Sequence, residues 1–176
     1  MSPSKPFPRR AAAALAIGVA GALATRSTAA AEAKPMADHL ATLHALIKDW
    51  QRKDIDAVLA RVTDDIEWHY LVGYAPLKGK AAMRDMLAKF SPTMNDVQWR
   101  IFKALQDKDT LMVEGVDEYK TEAGHRVVVP YMGTLEFCDG LISHWRDYCD
   151  SGLAGRLKNG DAVPAYVLTL TSRKAI

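Results

Sequence analysis

The chain has 176 residues, of which 49% are hydrophobic and 25% are charged, and its formal net charge at pH 7 is +2. These values are typical of one soluble globular domain, and they give no reason to expect a nucleic acid or an anionic membrane as a partner. The sequence also has no Walker loop, no GxGxxG motif and no zinc-like spacing of cysteine and histidine, so we expect no metal.

Residues 1–33 have the pattern of an export signal. Arg9 and Arg10 precede an apolar, alanine-rich run over residues 11–24, which is short for a membrane span. Ala31-Glu32-Ala33 fits the A-x-A pattern of a cleavage site. The paired arginines suggest twin-arginine export, and an uncleaved anchor is the alternative. We therefore predict a mature protein that is periplasmic or secreted.

The first half of the mature chain alternates between helical and strand patterns. Apolar residues recur at helical spacing in three segments, and Asp38 and Asp54 are positioned to cap the first two. Period-two alternation predicts two strands. In chain order we expect a helix over 36–50, a helix over 54–62, a strand over 66–72, a helix over 79–90 and a strand over 97–105.

The segment from Leu111 to Asp150 predicts three more strands, joined by turns at Thr121–Gly124 and Asp139-Gly140. Beyond it the pattern weakens: 151–160 is a loop or short helix, and 166–171 is a last strand or a loose tail.

Helices gathered on one face of a curved antiparallel sheet make an α+β domain, with a cavity between the two layers. We assign this domain to residues 34–150 and a C-terminal extension to residues 151–176.

Two aspartates interrupt otherwise apolar strands, Asp117 in VEGVDEY and Asp147 in HWRDYCD. A carboxylate within a sheet must be solvated, paired or used in chemistry. From the two turns, we predict that Asp117 lies opposite Val128 and that Asp147 lies opposite Met132. Opposed residues point to the same side and side chains alternate, so both aspartates should share one face.

Residue parity also predicts what surrounds the aspartates. On their face we expect Trp145, Gly115, Val128, Met132 and Val113. On the opposite face we expect an apolar surface covered by a second subunit, in a homodimer, or by the C-terminal tail. That surface consists of Val127, Val129, Tyr131, Leu135, Phe137 and Tyr148.

The alternative is a purely structural role, in which each aspartate is solvated or paired with Arg146, Arg126 or His125. If the two carboxylates are close, they repel and one keeps its proton. One ionised base beside one neutral proton donor is what acid/base catalysis requires.

The chain resembles the nuclear transport factor 2-like superfamily, and within it the limonene-1,2-epoxide hydrolase group and its SnoaL-like relatives. The resemblance covers residues 37–150 and is carried by three motifs. They are D-G-x-I-x-x-W-R-D-Y-x-D at Asp139–Asp150, V-D after an acidic residue at Glu114–Asp117 and P-L-x-G-K at Pro76–Lys80.

In that family one aspartate takes a proton from water, a second protonates the epoxide oxygen, and an arginine bridges them without any cofactor. The resemblance therefore implies Asp147 as the base, Asp117 as the acid and Trp145 as a cavity wall. It also implies a cone-shaped cavity in a curved antiparallel sheet, closed by the N-terminal helices.

The chain departs from the family pattern at two places. Gly115 stands where the bridging arginine is expected. A Tyr-x-Asn pair that holds the water is absent: one alignment puts His69 and Leu71 there, and the other puts Trp68 and Tyr70 there. Hydrophobic alternation favours the second alignment, although His69 remains a candidate water-positioning group or base.

Together these observations predict an exported enzyme that hydrolyses a small apolar epoxide with an aspartate pair. The alternatives are a SnoaL-like isomerase or cyclase, and a non-catalytic domain that binds a small hydrophobic molecule. The residues that we predict to line the cavity are Trp68, Tyr70, Met86, Val113, Met132 and Trp145, with His69 as a further candidate.

Overall fold

The computed structural model describes residues 38–176, so the predicted leader over 1–33 lies outside the described residues. In chain order the elements are α1 (His39–Gln51), α2 (Ile55–Leu59), β1 (Val62–His69), β2 (Leu77–Lys78), α3 (Gly79–Phe90), a 3₁₀ turn (Ser91–Thr93), β3 (Asn95–Asp107), β4 (Thr110–Lys120), β5 (Arg126–Cys138), β6 (Leu141–Cys149), α4 (Ser151–Lys158) and α5 (Ala165–Thr171).

The six strands form one curved sheet in the order β2-β1-β6-β5-β4-β3, which does not close into a barrel. Strands β3 to β6 pair antiparallel in succession. Strand β1 lies parallel to β6, with Trp68 opposite Trp145, so the sheet is mixed. The predicted α+β class is confirmed. The predicted antiparallel pairing holds from β3 to β6, whereas β1 runs parallel to β6 and the short strand β2 was not predicted.

The predicted helix caps form as the sequence indicates. Asp38 accepts a hydrogen bond from the Ala41 N–H at 2.9 Å, and Asp54 accepts one from the Ala57 N–H at 3.0 Å. These bonds satisfy amide groups that the first turn of a helix leaves without partners. Helices α1 to α3 then bury their apolar sides against one face of the sheet.

The register of the first hairpin differs from the prediction by one residue. Asp117 lies opposite Val129, and Val128 belongs to the other face. The cause is the loop, which has three residues, Glu122 to Gly124, since the Thr121 N–H donates to the His125 carbonyl. Gly124 takes a φ of +81°, which suits such a loop.

The register of the second hairpin also differs by one residue, for another reason. The turn at Asp139-Gly140 is as predicted, but the pairing shifts between Phe137–Ile142 and Glu136–His144. Ser143 is the extra residue of this bulge. Asp147 therefore lies opposite Gly133, and the predicted pairing with Met132 is wrong. Both shifts have the same sense, so the two aspartates still share a face.

Helix α5 covers part of the outer face of the sheet. Arg173, just beyond this helix, contacts Glu114 at 2.7 Å and lies over the Phe102 ring, while Val167 is buried. The tail over 166–171 is thus helical, and the strand or loose tail predicted there is wrong. The apolar outer face predicted for β5 is also wrong, because the register shift places Val127, Val129, Tyr131, Leu135 and Phe137 on the same face as Asp117. Met132 and Tyr148 remain about half exposed on the outer face, and the homodimer stays a prediction.

Within residues 38–176 we find no helix with the length and apolar character needed to cross a membrane.

Gly115 on β4 lies opposite Ile101 of β3, next to the irregularity in pairing between Ile101 and Lys103. A Cβ atom built there would be 2.3 Å from the Arg100 carbonyl oxygen and 2.8 Å from Cε1 of Tyr131. Both distances are shorter than any real contact of a Cβ, so a side chain at 115 requires the strands to move.

We predict that Gly115→Ala lowers the free energy of unfolding by about 1–3 kcal/mol, because the added methyl group clashes with the Arg100 carbonyl oxygen and the Tyr131 ring. Urea unfolding measures the effect. The matched control is Gly155→Ala in α4, where a Cβ would meet no heavy atom within 4 Å. Equal stability of the two variants would contradict the strain at Gly115.

Candidate active site

A cavity of about 360 Å³ lies between the sheet and helices α1 to α4. Its helical side is largely apolar, whereas its sheet side carries two carboxyl groups among aromatic rings. The lining residues from the sheet are Trp68, Tyr70, Trp99, Asp117, Tyr119, Val129, Tyr131, Trp145, Asp147 and Cys149.

A continuous set of aromatic rings forms the wall on the sheet side. Trp145 lies between Trp68 and Trp99, with ring centroids 5.6 Å and 5.7 Å away, and Trp99 meets Tyr131 edge to face at 5.5 Å. The parallel pairing of β1 with β6 brings Trp68 beside Trp145. Such rings supply a large apolar surface while their N–H and O–H groups remain available as donors.

Asp147 projects from β6 into this aromatic wall. The Trp145 indole N–H donates to its Oδ1 at 2.7 Å, from two residues earlier on the same side of the strand. Burial raises the pKa of Asp147 to about 7 against the lowering effects of Trp145 and Trp68, and the charge of Asp117 adds to the rise. The Trp68 N–H is buried and forms no hydrogen bond of ordinary geometry with any residue of 38–176.

Asp117 projects from β4 and is less well satisfied than Asp147. Its Oδ1 is buried and has no hydrogen-bond partner within residues 38–176. Burial raises its pKa to about 7, although the nearby charges of Lys53 and Lys158 oppose the rise. A carboxyl group with a bare buried oxygen is less costly when it is neutral.

Two lysines that the sequence did not single out therefore act on Asp117. Lys53 follows α1, where its Nζ donates to the Met94 carbonyl and lies 4.4 Å from the centre of the Trp50 ring. Burial lowers the pKa of Lys53, and the charge of Asp117 opposes this. Lys158 lines the cavity from α4, a segment that the sequence left open between a loop and a helix.

The structure brings most of the predicted site residues together. Trp68, Tyr70, Asp117, Trp145 and Asp147 all line the cavity, as the alternation of β1 favoured.

Four other residues predicted for the site or its lining do not line the cavity. One is Met86 on α3, where Met83, Leu87 and Phe90 are the lining residues instead. His69 points away on β1 and pairs with Glu67 at 3.3 Å, and Met132 is 49% exposed on the outer face, so neither is a lining residue. Both side chains lie on the face of the sheet away from the cavity. His69 does so because side chains alternate along β1, and Met132 does so because of the register shift. Val113 is buried on the aspartate face beside Gly133, outside the lining.

Tyr131 and Trp99 are functional candidates that the sequence missed. The one-residue register error placed Tyr131 on the outer face, whereas it lines the cavity and is 7% exposed. A signal was present in the sequence. Glycines within strands mark close approach, and Gly115 and Gly133 stand on β4 and β5 next to this tyrosine.

Among residues 38–176 no group of three or more histidine, cysteine, aspartate or glutamate side chains is arranged to hold a metal ion.

Comparison with known families decides what kind of domain surrounds this cavity. The model of the SnoaL-like domain family matches residues 43–145, which is more than half of the chain. The chain belongs to the SnoaL-like domain family. Its nuclear transport factor 2-like fold agrees with the recognition made from the sequence motifs.

Solved structures share the fold of this SnoaL-like protein at low sequence identity. An LEH-like epoxide hydrolase from M. tuberculosis is 24% identical over 69% of this chain and 90% of its own, with a TM-score of 0.60. A protein with a ketosteroid isomerase-like fold from Catenulispora acidiphila, solved with trimethylamine, is 17% identical over 70% and 97%, with a TM-score of 0.61. A putative isomerase from Bacillus subtilis is 16% identical over 72% and 96%, with a TM-score of 0.63. No curated protein sequence matches at a significant level.

We predict that stability falls as pH rises from about 4 to about 7. In the folded protein each carboxyl keeps its proton up to about pH 7, whereas the unfolded chain releases it near 3.8. The folded state therefore binds more protons in this window, and each group lowers the free energy of unfolding by at most roughly 1.4 kcal/mol per pH unit.

Urea unfolding across this pH range checks the prediction. Asp117→Asn should flatten the slope, while Asp107→Asn, at an exposed position on β3, should retain it. Identical slopes in the two variants would contradict a raised pKa at Asp117.

Proposed function

We propose that this SnoaL-like protein is an enzyme that opens a small apolar epoxide with water, using Asp147 and Asp117 as its acid/base pair. The observation that carries the proposal is that two carboxyl groups with pKa values raised to about 7 share one largely apolar cavity. Strongly raised carboxyl pKa values in a cleft are a mark of functional sites.

The two environments favour different roles for the aspartates. The N–H of Trp145 stabilises the ionised form of Asp147, which suits a base that takes a proton from water. The unpartnered Oδ1 of Asp117 favours the protonated form, which suits an acid. Water would then attack a ring carbon, the carbon–oxygen bond would break, and the proton of Asp117 would go to the leaving oxygen.

The missing arginine changes the electrostatics of this pair. A guanidinium between two carboxylates would lower their pKa values, but position 115 carries glycine and has no room for a Cβ. With both pKa values near 7, turnover should be highest near neutral pH and fall on either side, as one partner gains or loses its proton.

The cavity also suggests the kind of substrate. Its volume of about 360 Å³ lies at the small end of ligand sites, and its walls are largely aromatic and aliphatic. We propose a small hydrophobic molecule with one reactive oxygen, handled by a protein that is periplasmic or secreted.

A second candidate reaction is isomerisation by proton transfer beside a carbonyl group. The unpartnered hydroxyl of Tyr131 favours it, because an aspartate base with a tyrosine and a neutral aspartic acid as donors can stabilise an enolate. In that reaction Asp147 would move the proton while the other two groups bind the oxygen.

We expect the purified protein to convert members of a terpene and alkene epoxide panel to diols. Asp147→Asn keeps an acceptor for the Trp145 N–H but removes the base, so kcat should fall by at least about 10²-fold. Asp107→Asn should have wild-type activity. Diol formation is followed by gas chromatography.

Two results would contradict this reaction. Equal diol formation by wild type and Asp147→Asn would remove the aspartate from the mechanism. No diol, together with an Asp147-dependent double-bond shift in cyclic unsaturated ketones, would support the isomerase. Ligand binding without turnover in either assay would leave a binding domain.

A further inference from the structure

Tyr131 lies between the two aspartates on the central strand of the site. Asp117 is opposite Val129 and Asp147 is opposite Gly133, so Tyr131 occupies the position midway between these two on the same face of β5. Its ring lines the cavity, and the charges of both aspartates act on its hydroxyl group.

The ring of Tyr131 adjoins two glycines. A Cβ on Gly115 would lie 2.8 Å from Cε1 of Tyr131, and a Cβ on Gly133 would lie 3.5 Å from Cε2. The same Cβ on Gly133 would lie 3.3 Å from Oδ1 of Asp147. Gly115 thus leaves the room that the Tyr131 ring needs, and Gly133 adjoins both this ring and the Asp147 carboxyl group.

The hydroxyl of Tyr131 is a buried donor without an acceptor. Neither this oxygen nor the Trp99 indole nitrogen has a hydrogen-bond partner among the described residues, although their rings meet edge to face at 5.5 Å. Burial and the charge of Asp147 raise the pKa of Tyr131 well above its usual value, against the effect of Trp99, so the hydroxyl keeps its proton. A buried unpaired donor is costly unless a ligand satisfies it.

We propose that the Tyr131 hydroxyl donates a hydrogen bond to the oxygen atom of the bound ligand. The inference rests on the proposed function for the identity of that oxygen, which would be the epoxide oxygen. Its geometric basis is independent of the reaction: a donor whose ring adjoins two glycines, between two carboxyl groups, in a cavity of small-molecule size.

The position of the Tyr131 hydroxyl predicts a narrower class of ligand than an apolar cavity alone would predict. The site should prefer a compact hydrophobic molecule that carries one neutral oxygen acceptor over a hydrocarbon of the same shape. Because Tyr131 is neutral, it can bind this oxygen without the positive charge that would force both Asp117 and Asp147 to ionise.

The first experiment compares two probes of matched shape, cyclohexanone and methylenecyclohexane, through the tryptophan fluorescence of the cavity. Wild type should bind the ketone about threefold to tenfold more tightly, the range expected for one neutral hydrogen bond. Tyr131→Phe removes only the hydroxyl and should abolish this preference. Tyr148→Phe, the same change on the outer face, should retain it.

A second variant guards against a folding defect in Tyr131→Phe. Replacing Tyr131 with 3-fluorotyrosine keeps the ring and makes the hydroxyl a stronger donor, so the ketone preference should increase. An unchanged preference in both the phenylalanine and the fluorotyrosine variants would overturn the inference.

Turnover separates this inference from the proposed function. If wild type hydrolyses an epoxide, Tyr131→Phe should lower kcat by about 10- to 10³-fold with little change in KM, since the bond strengthens as the oxygen gains charge. Normal kcat in that variant would overturn the role of Tyr131 and leave the hydrolase intact. If the ketone preference depends on the Tyr131 hydroxyl but no epoxide is hydrolysed, the role of Tyr131 stands and the proposed hydrolase is wrong.

Discussion

The site depends on the burial of two carboxyl groups, Asp117 and Asp147, whose nearby donors and positive charges are too few to offset the cost of burying a negative charge. Elsewhere the same chain shows how a buried aspartate is held ionised. Burial alone would raise the pKa of Asp49, but hydrogen bonds and charges from Arg61 and Arg52, at 2.5 Å and 2.6 Å, outweigh it and lower the pKa. Asp117 and Asp147 have no arginine partner among the described residues. The Trp145 N–H on Asp147 and the charges of Lys53 and Lys158 near Asp117 do not offset burial, which raises the pKa of each carboxyl to about 7.

The packing around Gly115 and Gly133 maintains that state. The Arg100 carbonyl and the Tyr131 ring leave no room for a side chain at Gly115, and the same ring also adjoins Gly133. The aromatic wall then supplies neutral donors to the cavity. A neutral donor can bind an oxygen atom without fixing the protonation of either carboxyl. The packing of the sheet thus leaves both carboxyl groups able to gain or lose a proton.

Local patterns in the sequence predicted local structure well. The caps at Asp38 and Asp54 and the bounds of α3 follow from side-chain chemistry and helical periodicity. Strand register depends on one-residue details of loops and bulges, so the three-residue loop and the bulge at Ser143 escaped prediction. Both errors shift the pairing with β5 by one residue in the same sense, so the prediction that Asp117 and Asp147 share a face is still correct.

For the residues on β5, the same errors made the prediction wrong. The prediction placed Met132 in the cavity and Tyr131 on the outer face, whereas the structure has them the other way round. The prediction therefore missed the tyrosine hydroxyl at the centre of the site. The contributions of Lys53 and α4 depend on contacts between segments far apart in the chain, which periodicity does not encode. These contacts bring charge to Asp117.

The most direct test is a carbon-13 NMR titration of the aspartate carboxyl groups in the protein. Two signals should titrate near pH 7, one absent in Asp117→Asn and the other absent in Asp147→Asn. If every aspartate titrates below about pH 5, as ordinary or paired carboxyls do, the two groups are not poised for acid/base chemistry and the account fails.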